Sequence, residues 1–142
     1  MYVVKIATAG RGNCAEIDHI PYVYASTEFG EFVLPARCPH RGGPLHLATV
    51  EAQDYRLICP WHGRANSGRR ALRHAPPAVR RGDRVSIVFP GDAPPEYAIV
   101  HRPLSADLRF GQRERRATSS TPSVDRRPSP MDPTGHPRRE SR

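Results

Sequence analysis

Two short segments constrain this chain more than anything else in it: Cys38-Pro39-His40-Arg41-Gly42-Gly43 and, with 18 residues between His40 and Cys59, Cys59-Pro60-Trp61-His62-Gly63. A cysteine and a histidine two or three residues apart on a tight turn can aim both side chains to one side. Each loop then supplies one thiolate and one imidazole, and the two loops present two of each to a common centre. The proline after each cysteine fixes φ at that point. Gly42, Gly43 and Gly63 keep side-chain bulk away where backbone N–H groups approach the centre. The fold must therefore hold two loops side by side on a rigid base.

Composition narrows the base. At 142 residues the chain has room for one domain plus some tail, so a multidomain enzyme is not expected. With 37% hydrophobic residues and 16 prolines it can bury one small core. No apolar run approaches the roughly 18 residues a spanning helix needs, and Met1-Tyr2-Val3-Val4-Lys5-Ile6 lacks the basic-then-apolar layout of a signal peptide. A cytoplasmic location is the expectation, with no membrane association. Three cysteines, Cys14, Cys38 and Cys59, suit neither a disulfide scaffold nor a secreted class. In a reducing compartment, paired cysteines beside histidines suggest metal. Two cysteines and two histidines satisfy tetrahedral zinc, although zinc knuckles usually place two cysteines in one loop and these loops have one each.

Runs of Val, Ile, Tyr and Phe punctuated by turn residues predict an all-β domain. Strands are expected at 2–7, 22–25, 31–34, 55–58, 85–89 and 96–101, and no stretch of helical period competes with them. Turns are expected at Gly10-Arg11-Gly12-Asn13, Gly30, Arg41-Gly42-Gly43-Pro44, Asn66-Ser67-Gly68, Gly82-Asp83 and Pro90-Gly91-Asp92. After His101 the character changes: residues 102–142 hold ten arginines, six prolines and six serines, with few apolar anchors. The predicted division is a domain over 1–101 and an Arg/Pro/Ser-rich tail over 102–142, disordered from about Gly111 by composition. Ser105 to Phe110 is the one part of that tail expected to dock, as a short turn.

Residues 38–63 resemble the two cluster-binding boxes of Rieske iron–sulfur proteins, and the order of strands over 1–101 is similar to a Rieske domain. The resemblance implies antiparallel β-sheets with a small cluster-binding subdomain and one 2Fe-2S cluster per chain. It makes Cys38 and Cys59 the ligands of one iron, and His40 and His62 the ligands of the other. Replacing two anionic thiolates by neutral imidazoles lowers the cluster's negative charge and eases reduction, giving potentials of about −150 to +300 mV against about −400 mV for plant-type ferredoxins. Respiratory members carry an extra cysteine in each box and hydroxyl donors after the second. Here the matching positions are Gly43, Trp61, Arg64 and Asn66. Fewer hydrogen bonds to sulfur imply the low end of the range, as in Rieske-type ferredoxins and oxygenase domains. The gap between the boxes is a residue or so long, which an enlarged loop near Glu51 to Asp54 would absorb. His74-Ala75-Pro76-Pro77 resembles the proline loop that covers the cluster in this family.

The implied function is a one-electron carrier between a flavin-dependent reductase and a partner oxygenase component, not itself a catalyst. A small Rieske subunit of a reductase complex such as nitrite reductase is the alternative. The chain carries +8 formally, and seven arginines stand against one acid, Asp83, between Arg64 and Arg84, so an acidic docking surface on the partner would complement it. The same charge raises a basic zinc- or nucleic-acid-binding module, but no aromatic beyond Phe110 interleaves the tail arginines as a stacking platform would. His46 lies close enough in sequence to pack over the first box. Cys14 is expected to stay a lone thiol outside the site.

Overall fold

The computed structural model describes residues 1–111. In chain order its strands are β1 (Tyr2–Ala7), β2 (Cys14–Ile17), β3 (Ile20–Thr27), β4 (Gly30–Pro35), β5 (Thr49–Glu51), β6 (Arg56–Cys59), β7 (Arg64–Ser67), β8 (Ala78–Arg81), β9 (Arg84–Phe89) and β10 (Tyr97–Val100). An α-helix, α1 (Gly68–His74), follows β7, and short 3₁₀ turns occupy Leu45–Leu47 and Ala106–Leu108. All pairing between these strands is antiparallel, in three sheets ordered β1-β9-β8, β10-β2-β3-β4 and β5-β6-β7. The fold is thus all-β in its framework, as the alternating apolar runs predict. No helix among the described residues is long and apolar enough to cross a membrane.

Strands β2, β3 and β4 of the four-stranded sheet are largely buried on both faces, with β10 exposed at its edge, and the period of two along the strands divides their side chains between two cores. Val23 and Ala25 of β3, and Phe32 and Leu34 of β4, face the core shared with Cys38, Leu57 and Cys59. Tyr24 and Val33, the residues between them, face the opposite core with Val4, Ile6, Val85, Ile87 and Phe89 of β1 and β9. The two boxes therefore rest on a sheet clamped from behind. β2 and β3 are joined by Asp18-His19, both at positive φ (50° and 65°), the geometry of a two-residue hairpin turn whose twist matches the strands.

Three differences from the sequence reading have physical causes. The expected strands all form, with shifted ends, but β2, β5, β7 and β8 form as well. Each is three or four residues long and gains its ladder from a neighbour rather than from its own composition. The segment Asn66-Ser67-Gly68 is not a turn: it ends β7 and opens α1, where the Ser67 hydroxyl accepts a hydrogen bond from the Arg70 backbone N–H at 3.2 Å. Gly68 is required there, because a Cβ would lie 2.5 Å from the Phe29 ring and 2.7 Å from the Tyr55 carbonyl. The loop expected near Glu51 to Asp54 is the four-residue connection between β5 and β6, with Tyr55 at φ 52°.

The third difference is at the boundary after His101. Residues 102–111 pack on the domain: Leu104 and Leu108 are buried in the core beneath the boxes. The Asn13 side chain and the Arg102 backbone exchange two hydrogen bonds, at 2.7 and 2.8 Å. Ser105 donates from its backbone to the His46 carbonyl at 3.0 Å and from its hydroxyl to the Ala48 carbonyl at 2.6 Å. Asp107 accepts from the Val50 N–H at 2.9 Å, and the Gly111 N–H reaches the Ser26 hydroxyl at 3.0 Å. The expected docking turn at Ser105 to Phe110 is thus part of a strap that ties the four-stranded sheet to the box-bearing part. The expectation for the rest of the tail falls on residues 112–142, outside the described residues.

Candidate metal centre

The first box leaves β4 and turns back through Gly42, at φ 69°, where the Gly42 N–H donates to the Cys38 carbonyl at 2.9 Å. The Cys38 N–H is anchored on the Gly43 carbonyl at 2.8 Å. The second box is the turn between β6 and β7, closed by the Cys59–Arg64 pair, with His62 and Gly63 both at positive φ. For His62 that conformation is uncommon in a residue with a Cβ. It is held by the strands on either side.

Between the two turns lies a cavity of about 410 Å³ whose lining includes Cys38, His40, Cys59 and His62. All four residues singled out from the sequence are brought together. They are not equivalent: Cys38 and Cys59 are 4% and 1% exposed, inside the core, while His40 and His62 are exposed at the rim. No three His, Cys, Asp or Glu side chains among the described residues gather as ligands of a single metal ion would. Cys38 Sγ and His40 Nδ1 are 3.2 Å apart. The three cysteines carry no disulfide.

The walls suit a bridged sulfur centre. A Cβ at Gly43 would come within 2.8 Å of Cys59 Sγ and 3.2 Å of Trp61, so the absence of a side chain there is what leaves sulfur its space. Burial pushes the Cys59 thiol up, partly offset by a hydrogen bond from the Trp61 backbone, while the neighbouring Cys38 raises it further. Cation coordination reverses that penalty by replacing the proton. Arg41 and Arg64 also line the cavity, and Trp61 stands 53% exposed beside it.

Asn66, at one of the positions that lack a hydroxyl, reaches one of the sulfurs. Its Nδ2 lies 3.7 Å from Cys38 Sγ and donates also to the carbonyls of Arg64 (3.3 Å) and Leu57 (3.4 Å). Asn66 Oδ1 also lies 3.9 Å from the same sulfur, within reach of the Cys38 thiol as donor. A donor is therefore retained on β7 without a hydroxyl.

A family model for the Rieske [2Fe-2S] domain matches residues 11–90, more than half of the chain. The chain belongs to the Rieske [2Fe-2S] domain family. Its cofactor is accordingly a 2Fe-2S cluster. A human Rieske domain-containing protein is 50% identical over 36 residues, a match covering 23% of this chain and 23% of that relative. No solved structure matches with significance. Two thiols and two imidazoles line the cavity of this Rieske domain, a donor set whose chemistry suits iron.

The structure also places the residues that sequence set aside. The cavity wall of the Rieske domain draws nothing from residues 74–77, so the proline segment does not cover it. His74 instead ends α1, and the Pro77 carbonyl accepts from Val88 at 2.8 Å as the chain enters β8. Of the seven arginines between Arg64 and Arg84, only Arg64 lines the cavity. Arg80 is tied to Glu31 at 3.2 Å, and Arg69 lies over the Tyr55 ring at 4.5 Å. His46 is buried, with Nδ1 3.4 Å from the Ala36 carbonyl, and Cys14 packs in the core away from the cavity. Sequence reasoning passed over Arg41. Its position between His40 and Gly42 was the available signal.

Proposed function

We propose that the chain is a one-electron carrier in which Cys38 and Cys59 hold the inner iron of the cluster and His40 and His62 hold the outer one. The observation that supports this reading is the asymmetry of burial, thiols in the core and imidazoles at the surface. When bound, the cluster supplies one-electron storage at a potential raised by its neutral imidazole ligands. The residues supply the rest. Buried thiols keep water from the inner half of the site, and the exposed imidazoles shorten the distance to any protein that meets this face. Arg41 and Arg64 give the face a positive potential, which speeds encounter with an acidic partner through a small, transient contact.

The partners in this reading are a flavin-dependent reductase as donor and an oxygenase component as acceptor, with the chain a non-catalytic member of that oxidoreductase system. Three unpaired thiols suit the reducing cytoplasm. The test is reconstitution of the full chain with iron and sulfide, followed by electron paramagnetic resonance of the dithionite-reduced protein. The reading requires a mixed-ligand signal that disappears in His40→Ala and in His62→Ala. Colourless protein holding one zinc ion, or a signal from four cysteinyl ligands, would end it.

A further inference from the structure

A second concavity, of about 690 Å³, opens on the other side of His40. It runs between the end of β4, the first box, β7 and α1. Its accessible apolar lining comes from Pro35, Pro39, Ala65 and Ala71, over the buried Leu57. Its charged and titratable lining comes from Arg37, Arg70 and His74, in addition to His40, and none of its lining residues is acidic. Neither Arg37 nor Arg70 makes an ion pair among the described residues, and both are exposed. The two concavities share His40.

We propose that this groove is the docking site for a segment of the redox partner that carries apolar side chains between carboxylates. The inference rests on the electron-carrier reading above and gives the partner's contact a place and a chemistry. Charge complementarity selects the occupant. A groove with two unpaired guanidinium groups and no acid favours a negatively charged visitor. Residues 112–142 of the same chain are a poor fit, since they hold eight arginines against four acids, and a second copy of a chain carrying +8 is no better. The apolar lining adds what charge alone does not, a seat for a branched or aromatic side chain whose removal from water stabilises the contact. A partner seated there is brought alongside the imidazole of His40.

The experiment is a calorimetric titration of the cluster-loaded full chain with three acetylated, amidated pentapeptides: alternating glutamate and leucine, alternating glutamate and serine, and alternating lysine and leucine. The glutamate–leucine peptide should bind saturably and the other two should not. Arg70→Glu should weaken its binding by about tenfold. The double variant Arg37→Glu with Arg70→Glu should exchange its preference for the lysine–leucine peptide. Arg84→Glu, on β9 and outside the groove lining, should leave binding unchanged, and melting curves establish that each variant is folded. Equal binding of the glutamate–serine peptide, equal loss in all variants, or tight binding of decanoate without peptide binding would each overturn the proposal. The resonance signal of the same samples reports on the carrier reading separately. Its loss with peptide binding intact sinks that reading, and its presence without peptide binding sinks only the groove.

Discussion

Asn66 shows how much a single side chain can set at this site. Its Nδ2 lies 3.7 Å from Cys38 Sγ, and where Cys38 holds iron as a thiolate, as proposed, a hydrogen bond to that sulfur favours the electron-rich, reduced state. Replacing Asn66 with Leu should lower the reduction potential. A loss of about 1 kcal/mol of preferential stabilisation corresponds to about 40 mV for one electron. A dye-mediated redox titration reads the shift, and an unchanged potential would show that the contact does no tuning. His46 provides a second handle. Burial lowers its pKa, with the Arg102 charge acting in the same direction against the hydrogen bond to Ala36. The folded protein therefore holds this imidazole neutral while the unfolded chain takes up a proton near pH 6.5. Stability should fall as pH drops below that point, by at most about 1.4 kcal/mol per pH unit from this group. Urea melts of the full chain and of His46→Gln across pH 5 to 8 should show the slope shrinking in the variant.

At the scale of elements, helix α1 depends on a cap that its own composition cannot replace. Gly-Arg-Arg-Ala-Leu-Arg-His offers two adjacent apolar residues, Ala71 and Leu72, and no periodic stripe. Ser67→Ala removes the acceptor for the Arg70 N–H and should cost about 1 kcal/mol of stability, read from the urea midpoint. The same lack of a stripe explains why the helix was invisible in sequence. Strands rich in β-branched and aromatic residues, such as β1 and β9, announced themselves because their own side chains fit a pleated surface. β2, β5, β7 and β8 did not, since short polar segments such as Arg64-Ala65-Asn66-Ser67 become strands only when a neighbouring ladder recruits them. The two boxes were fully legible because their chemistry is local: each needs a cysteine, a histidine and a tight turn within five residues. The Asn66 contact, by contrast, joins residues 28 positions apart and exists only once β7 lies beside the first box.

For the whole molecule, the strap at residues 102–111 is the part whose importance the sequence concealed. Arginine and proline dominate its surroundings, yet Leu104 and Leu108, spaced one helical turn apart, close the core under the thiols. Leu108 is fully buried, and Leu108→Ala should destabilise the domain by about 3 kcal/mol. Its denaturation midpoint should fall well below that of the parent, and cluster content after reconstitution should fall with it. A midpoint like the parent's would mean the strap adds nothing.

In the proposed carrier, with sulfur facing inward and imidazole outward, the imidazole face is the doorway among the described residues. Arrival and departure of the electron must share it, so donor and acceptor cannot be seated together and have to take turns. Flooding the system with either one should then slow the other, and throughput should peak at intermediate proportions.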